Sequence, residues 1–266
     1  MTTPGVTRFA GSLMPSLDNS KYLWNRVEHG MPGQQTLDRM RIEVSESIGI
    51  DEAIRSDEAA LAIGTPRVWV GRCAGPGVTL GVAQGPDVLP AKNARRDGLP
   101  VFQRASGGNA LVHESGDLFW SVVLPRESRW IGRDFTKAYA RLGLGWVSAL
   151  ASAGRKAEWI SSPPTFPLHC YLSGRGYVLT CEGRALGGAS QHLNAQALLH
   201  HGTVTVVHNP ERVRSIFAMP SLVQEQHLTS LEELGLEPLT RDLNALALRL
   251  AEPFVSGPPD RPRKSI

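Results

Sequence analysis

The sequence predicts an α+β fold of mixed, mainly antiparallel sheets flanked by helices. Three observations predict it. Short β-branched or aromatic runs broken by Gly and Pro crowd residues 67–125. Apolar residues at helical spacing follow from residue 135. A second set of short strands, between 176 and 207, then leads into two further helical stretches, so strands and helices come in blocks.

In chain order, residues 1–36 are rich in Gly, Pro, Ser and Asn without periodicity and read as an extension or wrapped arm. The folded domain spans 37–255. Within it, Val44, Ile48 and Ile54 in "VSESIGIDEAIRSDEAALA" predict one amphipathic helix. The runs "RVWVGRC", "GVTLGVA", "PVFQR", "NALVH" and "LFWSVVLP" predict strands of one antiparallel sheet. Asp134 as cap, a face of Phe135, Tyr139, Leu142, Trp146 and Leu150, and Gly154 as terminator predict a single helix covering that sheet. Strands at "GYVLTCEG", "RALGG" and "HHGTVTVV" precede "NPERVRSIF", where Asn209 and Pro210 form a cap and first turn. The pattern Thr229 to Glu232 in "TSLEEL" is a capping box, and Leu243, Leu246 and Leu250 share the face of a closing helix that ends at Pro253. The remainder, "SGPPDRPRKSI" at 256–266, reads as a disordered tail.

Composition narrows the function. With 266 residues, 41% of them hydrophobic, the chain can bury the core of one large domain or two small ones. A net charge of +3, part of it in the terminal "RPRK", does not make a nucleic-acid groove. Three cysteines fit a reducing compartment, so a cytoplasmic location is expected. The first twenty residues lack the apolar core of a signal peptide, and no run reaches the roughly 18 apolar residues of a membrane span. His200 and His201 lack spaced partners, so no metal site is expected.

The stretch "FQRASGGNALVH", 102–113, carries the chemistry. Gly107 and Gly108 alone make a hairpin turn. With Arg104, Ser106 and Asn109 around them, a cation, a hydroxyl and exposed amides can instead meet one anionic or amide-bearing ligand. Neither the spacing of a P-loop nor that of a dinucleotide fingerprint is present.

Extended to "QRASGGNALVHESGDLFWSVVLP", the stretch resembles the signature of the lipoate-protein ligase and octanoyltransferase family. "GIDEAI", "PGVTLGVAQ", "RALGGASQ" and "HHGTV" resemble further motifs of that family in the same order, from about Arg41 to Leu234. The resemblance implies that 37–255 is a catalytic domain of the biotin and lipoate ligase type, with an acyl chain in a tunnel beside the Gly107–Gly108 turn. Apolar strand residues near Val78, Leu80, Leu111 and Val122 should line that tunnel. The biotin branch's arginine-rich glycine loop is absent.

"CYLSGRGYVLTCEGRALGGASQ" resembles the Cys-dependent octanoyltransferases, which places Cys170 on the nucleophile and Tyr171 and Tyr177 on two aromatic positions. Gly174, Arg175 and Val178 depart from that pattern, and a small buried hydrophobe is the alternative role for Cys170. Cys73 and Cys181 read as structural. By the same resemblance the ligand-binding set is Arg104, Ser106, Gly107, Gly108, Asn109, His113, Arg184, Gly187, Gly188, Ala189, His201 and Gly202. Candidates to activate a thiolate are His113, Arg104, His169, His200 and His201, with His169 disfavoured because a neighbour in an extended strand faces the other way. Ala185 occupies the place of the family's lysine, Arg184 is the nearest replacement and Gln103 stands for the first signature Arg, so phosphate affinity should fall.

Three functions stay open at this point. The first is an acyltransferase moving an octanoyl or lipoyl group through a Cys170 thioester, which needs no cofactor. The second is a lipoate-protein ligase using ATP and Mg, and the third a noncatalytic relative that binds the acyl chain or its carrier. The partners implied are a lipoyl domain, a glycine-cleavage H-type carrier protein or an acyl carrier protein, with no nucleic acid and no membrane.

Overall fold

The computed structural model describes residues 40–132 and 135–256. The expected arm at 1–36, the cap Asp134 and the tail beyond Ser256 lie outside the described residues. In chain order the elements are β1 (Arg41–Ile48), α1 (Ile50–Ile63), β2 (Arg67–Cys73), β3 (Gly77–Leu80), α2 (Leu89–Arg96), β4 (Val101–Gln103), β5 (Leu111–His113) and β6 (Leu118–Pro125). There follow α3 (Phe135–Leu142), α4 (Leu144–Ser152), β7 (Ala157–Ser161), β8 (Tyr177–Cys181), β9 (Arg184–Leu193), β10 (Ala197–Val204), α5 (Pro210–Phe217), α6 (Ser221–His227) and α7 (Leu243–Ser256).

Seven strands form one sheet in the order β1-β2-β6-β10-β9-β8-β7, antiparallel except for the β1–β2 pair. The other three form a small sheet, β4-β3-β5, in which β3 and β4 run parallel. Central β6 is apolar on both faces because both are covered. Leu118, Trp120, Val122 and Leu124 join the largest core, against Trp146 and Leu150 of α4 and Leu243, Leu246 and Leu250 of α7. Phe119 and Val123 point the other way, into smaller clusters completed by α1. The small sheet rests on its own cluster with α2 and α5, through Val78, Leu80, Ala94 and Phe217. Among the described residues, no helix is long and apolar enough to cross a membrane.

Several expectations need correction. The single helix over 44–62 is a strand followed by a helix: β1 pairs in parallel with β2, Gly49 caps α1, and edge-strand pairing outweighs the helical spacing of Val44 and Ile48. The first five strands divide between two sheets, with β2 and β6 in the large one and β3, β4 and β5 in the small one. The helix from 135 breaks at Gly143 into α3 and α4; the Trp159 indole donates to the Gly143 carbonyl at 2.8 Å, and a Cβ there would lie 2.2 Å from that nitrogen. "TSLEEL" makes a turn, in which Thr229 bonds Glu233 rather than Glu232. α7 continues through Pro253 to Ser256, since a proline near a helix end costs few hydrogen bonds. The Asn209 cap stands as expected, accepting from the Arg212 amide at 3.0 Å.

Two predictions follow from the packing. β9 and β10 approach so closely that a Cβ on Gly202 would stand 1.9 Å from the Gly188 carbonyl oxygen. Gly202→Ala should therefore cost about 2–3 kcal/mol, read as a lower denaturant midpoint. Burial also holds His113, His169 and His200 neutral, each pushed down to about 3 from 6.5, so between those values the unfolded chain takes up three protons that the fold refuses. Asp117 works in the opposite sense, pushed up by burial to about 7 from 3.8, so the fold keeps its proton where the unfolded chain loses it. Three rings against one carboxyl leave two net protons near pH 5, and stability should fall by about 3 kcal/mol per pH unit as the solution is acidified. Urea unfolding at pH 5 and pH 6 checks both sign and slope.

Candidate active site

The site is built on a 3-10 turn, Cys170–Leu172. Its second and third side chains are buried, Tyr171 at 3% and Leu172 at 0% exposure, and they anchor the turn in the core of the small sheet. The Tyr171 hydroxyl donates to the Thr203 carbonyl at 3.2 Å, and the Ser162 hydroxyl to the Tyr171 carbonyl at 2.9 Å. The Cys170 amide donates to Ala110 O at 3.0 Å. With both neighbours fixed, the thiol is left half-buried and facing the Gly107–Gly108 turn. His169 is tied down on another side, its Nδ1 accepting from the Tyr171 amide at 3.3 Å, and it lines a second hollow instead.

Gly108 has φ +91°, and a Cβ there would stand 3.3 Å from Cys170 Sγ and 2.9 Å from Arg104 Nη2. The Arg104 guanidinium, 8% exposed, fills the space behind the turn. Its Nη2 donates to the Gly107 carbonyl at 2.9 Å and the Asn109 carbonyl at 2.8 Å, and lies 4.0 Å from Cys170 Sγ. Its Nη1 donates to Thr79 Oγ1 at 3.1 Å. The same Thr79 oxygen lies 2.8 Å from Nε2 of the His113 ring, which burial keeps neutral. Gly107 O accepts a second bond from Ser190 Oγ at 3.0 Å. Asn109 faces away and binds the loop before the cysteine, donating to Pro167 O at 2.6 Å.

Cys170 opens into a cavity between α1, the large sheet and the small sheet. Ile50, Ile54, Trp69, Leu111 and Phe119 make its apolar wall, while Thr79, Arg104, His113 and His201 supply polar groups. The His201 ring bridges two buried side chains: Nδ1 lies 2.7 Å from Asp57 Oδ2 and Nε2 lies 2.6 Å from Ser106 Oγ. Arg67 holds the other Asp57 oxygen at 2.9 Å. Among the described residues, no group of three or more His, Cys, Asp or Glu could hold a metal ion.

Of the residues singled out from the sequence, Cys170, Arg104, His113, Gly188, Ala189, His201 and Gly202 line this cavity. Ser106, Gly107, Gly108 and Asn109 form the turn at its edge. Gly187 is absorbed in the β9–β10 contact, where a Cβ would meet Thr203 O at 2.6 Å. Arg184 is not at the cavity: it donates to Leu228 O at 3.1 Å and pairs with Glu233 at 3.0 Å. Leu111 lines the wall as expected, whereas Val78, Leu80 and Val122 do not; alternation along β3 and β6 turns them into the neighbouring cores and presents Thr79, Phe119 and part of Trp120 instead. Cys73 and Cys181 are buried, and burial pushes both thiols up, Cys73 to about 11. Asp57, Thr79 and Ser190 were missed. Asp57 looks like an ordinary charge on a helix, and nothing local marks it as a partner of His201, 144 residues away.

Residues 57–248 match the family model for the lipoyl protein ligase A/B catalytic domain. The chain is 24% identical over 195 residues to octanoyltransferase LipM of Carboxydothermus hydrogenoformans, a match covering 72% of each. It is 27% identical over 135 residues to the Brevibacillus brevis octanoyltransferase LipM, covering 47% of this chain and 48% of that relative. In structure it is similar to a lipoate-protein ligase A bound with ATP, with a TM-score of 0.63 and 17% identity over 80% of this chain and 83% of that one. It is also similar to a bipartite lipoate protein ligase studied with its E2 lipoyl domain from Thermoplasma acidophilum, with a TM-score of 0.57 and 16% identity over 80% of this chain and 82% of that one. The fold is thus that of the lipoate-protein ligases, as the sequence motifs implied, and the chain belongs to the lipoyl protein ligase A/B catalytic-domain family.

Proposed function

We propose that this chain is an acyltransferase that carries an octanoyl or lipoyl group as a thioester on Cys170 and hands it to a lysine of a lipoyl-type carrier domain. One observation carries the reading: the Cys170 sulfur stands at the boundary between an apolar cavity and the Gly107–Gly108 turn, with the Arg104 guanidinium 4.0 Å away. In the first step the thiolate attacks the carbonyl carbon of the donor thioester, the new carbon–sulfur bond forms, and the donor thiolate leaves and takes up a proton. In the second an amine displaces Cys170 and an amide results. The likeness to octanoyltransferases by sequence, and to a ligase studied with its lipoyl domain by structure, supports the acyl group and the acceptor class.

The cation inventory favours this route over ATP use. A nucleotide triphosphate needs positive groups with free donors. Arg104 commits both Nη2 hydrogens to carbonyls and one on Nη1 to Thr79, Arg184 is paired with Glu233, and Gln103 bonds the carbonyls of Val82 and Gln84 at 3.1 and 3.0 Å. Ala185, in the place of the family's lysine, is 4% exposed and lines the second hollow beside His169 and Asp117. Of the cations that the family motifs bring to this region, Arg104 lines the cavity and Arg184 does not, which is little positive charge for a triphosphate with its magnesium, and a thioester donor brings no such charge.

Mixing the pure protein with an octanoyl thioester and reading its intact mass should show one octanoyl adduct, lost in Cys170→Ala and kept in Cys73→Ala and Cys181→Ala. An adduct that survives Cys170→Ala, or pyrophosphate released from ATP and lipoate without any adduct, would overturn the proposal. The cavity encloses ≈ 70 Å³, well under the roughly 300 Å³ of most ligand pockets, so an eight-carbon chain has to widen it. Ala53, buried in the wall, should therefore set chain length. Ala53→Leu is expected to lower kcat/KM for octanoyl relative to butanoyl donors by roughly 10- to 200-fold, and equal kcat/KM ratios before and after would place the acyl chain elsewhere.

A further inference from the structure

We propose that Asp57, His201 and Ser106 form the proton relay of the transfer step, an inference that rests on Cys170 being the acyl carrier. An amine attacking a thioester becomes positively charged, and the tetrahedral adduct collapses forward only when a base removes a proton from it. The three buried rings His113, His169 and His200 are held neutral by burial, and His113 Nε2 is already paired with Thr79 Oγ1 at 2.8 Å. His201 differs, because its ring lines the cavity shared with Cys170 and is gripped at both nitrogens.

The hydrogen-bond directions follow from what each group can do. A carboxylate only accepts, so Asp57 Oδ2 at 2.7 Å requires the hydrogen on His201 Nδ1. In the neutral ring Nε2 is then a lone pair, and the Ser106 hydroxyl 2.6 Å away is its donor. Carboxylate, imidazole and hydroxyl in that order are the connectivity that makes a hydroxyl oxygen basic in serine hydrolases. Arg67 fixes Asp57 from behind through Oδ1 at 2.9 Å, and is itself held by Ser121 at 3.1 Å and by Glu43 at 3.6 Å. This bracing keeps Oδ2 aimed at the imidazole. Ser106, at the other end, directly precedes the Gly107–Gly108 turn that packs on the Cys170 sulfur. Its main-chain carbonyl accepts from the Val82 amide at 2.9 Å, which fixes the residue against the small sheet.

The step balances without any further reagent. As the acceptor nitrogen bonds to the acyl carbon, one of its protons passes to Ser106 Oγ and the Ser106 hydrogen passes to His201 Nε2. The imidazolium so formed faces Asp57. The carbon–sulfur bond then breaks, and the relay runs backwards to return the proton to the Cys170 sulfur. Ser106, 1% exposed at rest, meets the amine once the acyl chain has widened the cavity and is the catalytic residue in this scheme, while His201 and Asp57 are positioning residues that set its basicity.

The test separates loading from discharge. The full chain is loaded with octanoyl thioester, freed of donor and mixed with a lysine-bearing lipoyl domain, and loss of the Cys170 adduct is timed by quenched mass measurement. His201→Ala and Ser106→Ala should load to the wild-type extent but discharge on the order of 100-fold more slowly. Free imidazole should restore a part of the rate to His201→Ala and none to Ser106→Ala, a response that a structural role would not give. Where His201→Ala does not fold, His201→Gln, which keeps a donor for Asp57, carries the same expectation for discharge. Discharge within threefold of wild type in either variant, or a loss in folded His201→Ala that imidazole leaves unchanged, overturns the relay alone. Failure of the wild-type chain to load overturns the Cys170 reading and the relay with it.

Discussion

The site depends on backbone meeting backbone at places that hold no side chain. A Cβ on Gly81 would stand 1.9 Å from the Gly108 carbonyl oxygen, a distance that no small adjustment can relieve. That contact presses the end of β3 onto the Gly107–Gly108 turn, and the turn in turn meets the Cys170 sulfur and the Arg104 guanidinium. On the large sheet, Gly202 and Gly188 make the same kind of approach, and a side chain on Gly188 would strike the Tyr171 ring at 2.6 Å. Two sheets and the cysteine turn thus converge because glycine leaves room for them. The cost is conformational freedom in the unfolded chain, offset by the buried clusters on either side.

Charge is handled differently on the two sides of the cavity. Arg67 is bound by carboxylates, Asp57 and Glu43, so its charge is balanced within the fold. Arg104 is bound by the Thr79 hydroxyl and by two carbonyls, neutral acceptors that leave its net charge in place. A positive charge of that kind, held rigidly beside a sulfur and away from bulk water, acts on negative charge at that sulfur more strongly than a mobile side chain would.

How far the sequence disclosed this follows from the range of each interaction. The Gly107–Gly108 turn, the β6 strand and the Asn209 cap were legible because each is set by neighbours in the chain. The β1 strand was not, because Val44 and Ile48 fit a helix locally and only the pairing with β2 decides. The wall of the cavity was assigned to the wrong face of two strands: Val78 and Val122 are apolar and were the natural choice, yet the alternation turns Thr79 and Phe119 inward. Arg184 had the right charge near the right motif, but Glu233, distant in sequence, captures it. Asp57 was silent for the same reason, since its partner is brought to it only by the packing of α1 on β10.

Ala185 and Cys170 answer to one physical constraint. Buried positive charge is costly unless something negative is present to meet it. Ala185 is buried in an apolar cluster with Leu228 and Val213, and the carboxyl nearest in kind, Asp117, is pushed by burial towards its neutral form. An ammonium at that position would need an ionised partner, whether Asp117, Glu114 or an anionic ligand. A cysteine on a turn clamped by Tyr171 and Leu172 imposes no comparable burden, because a thiol is nearly apolar until it reacts. With Ala185 in that hollow, the charge beside the Cys170 sulfur is that of Arg104, 4.0 Å away.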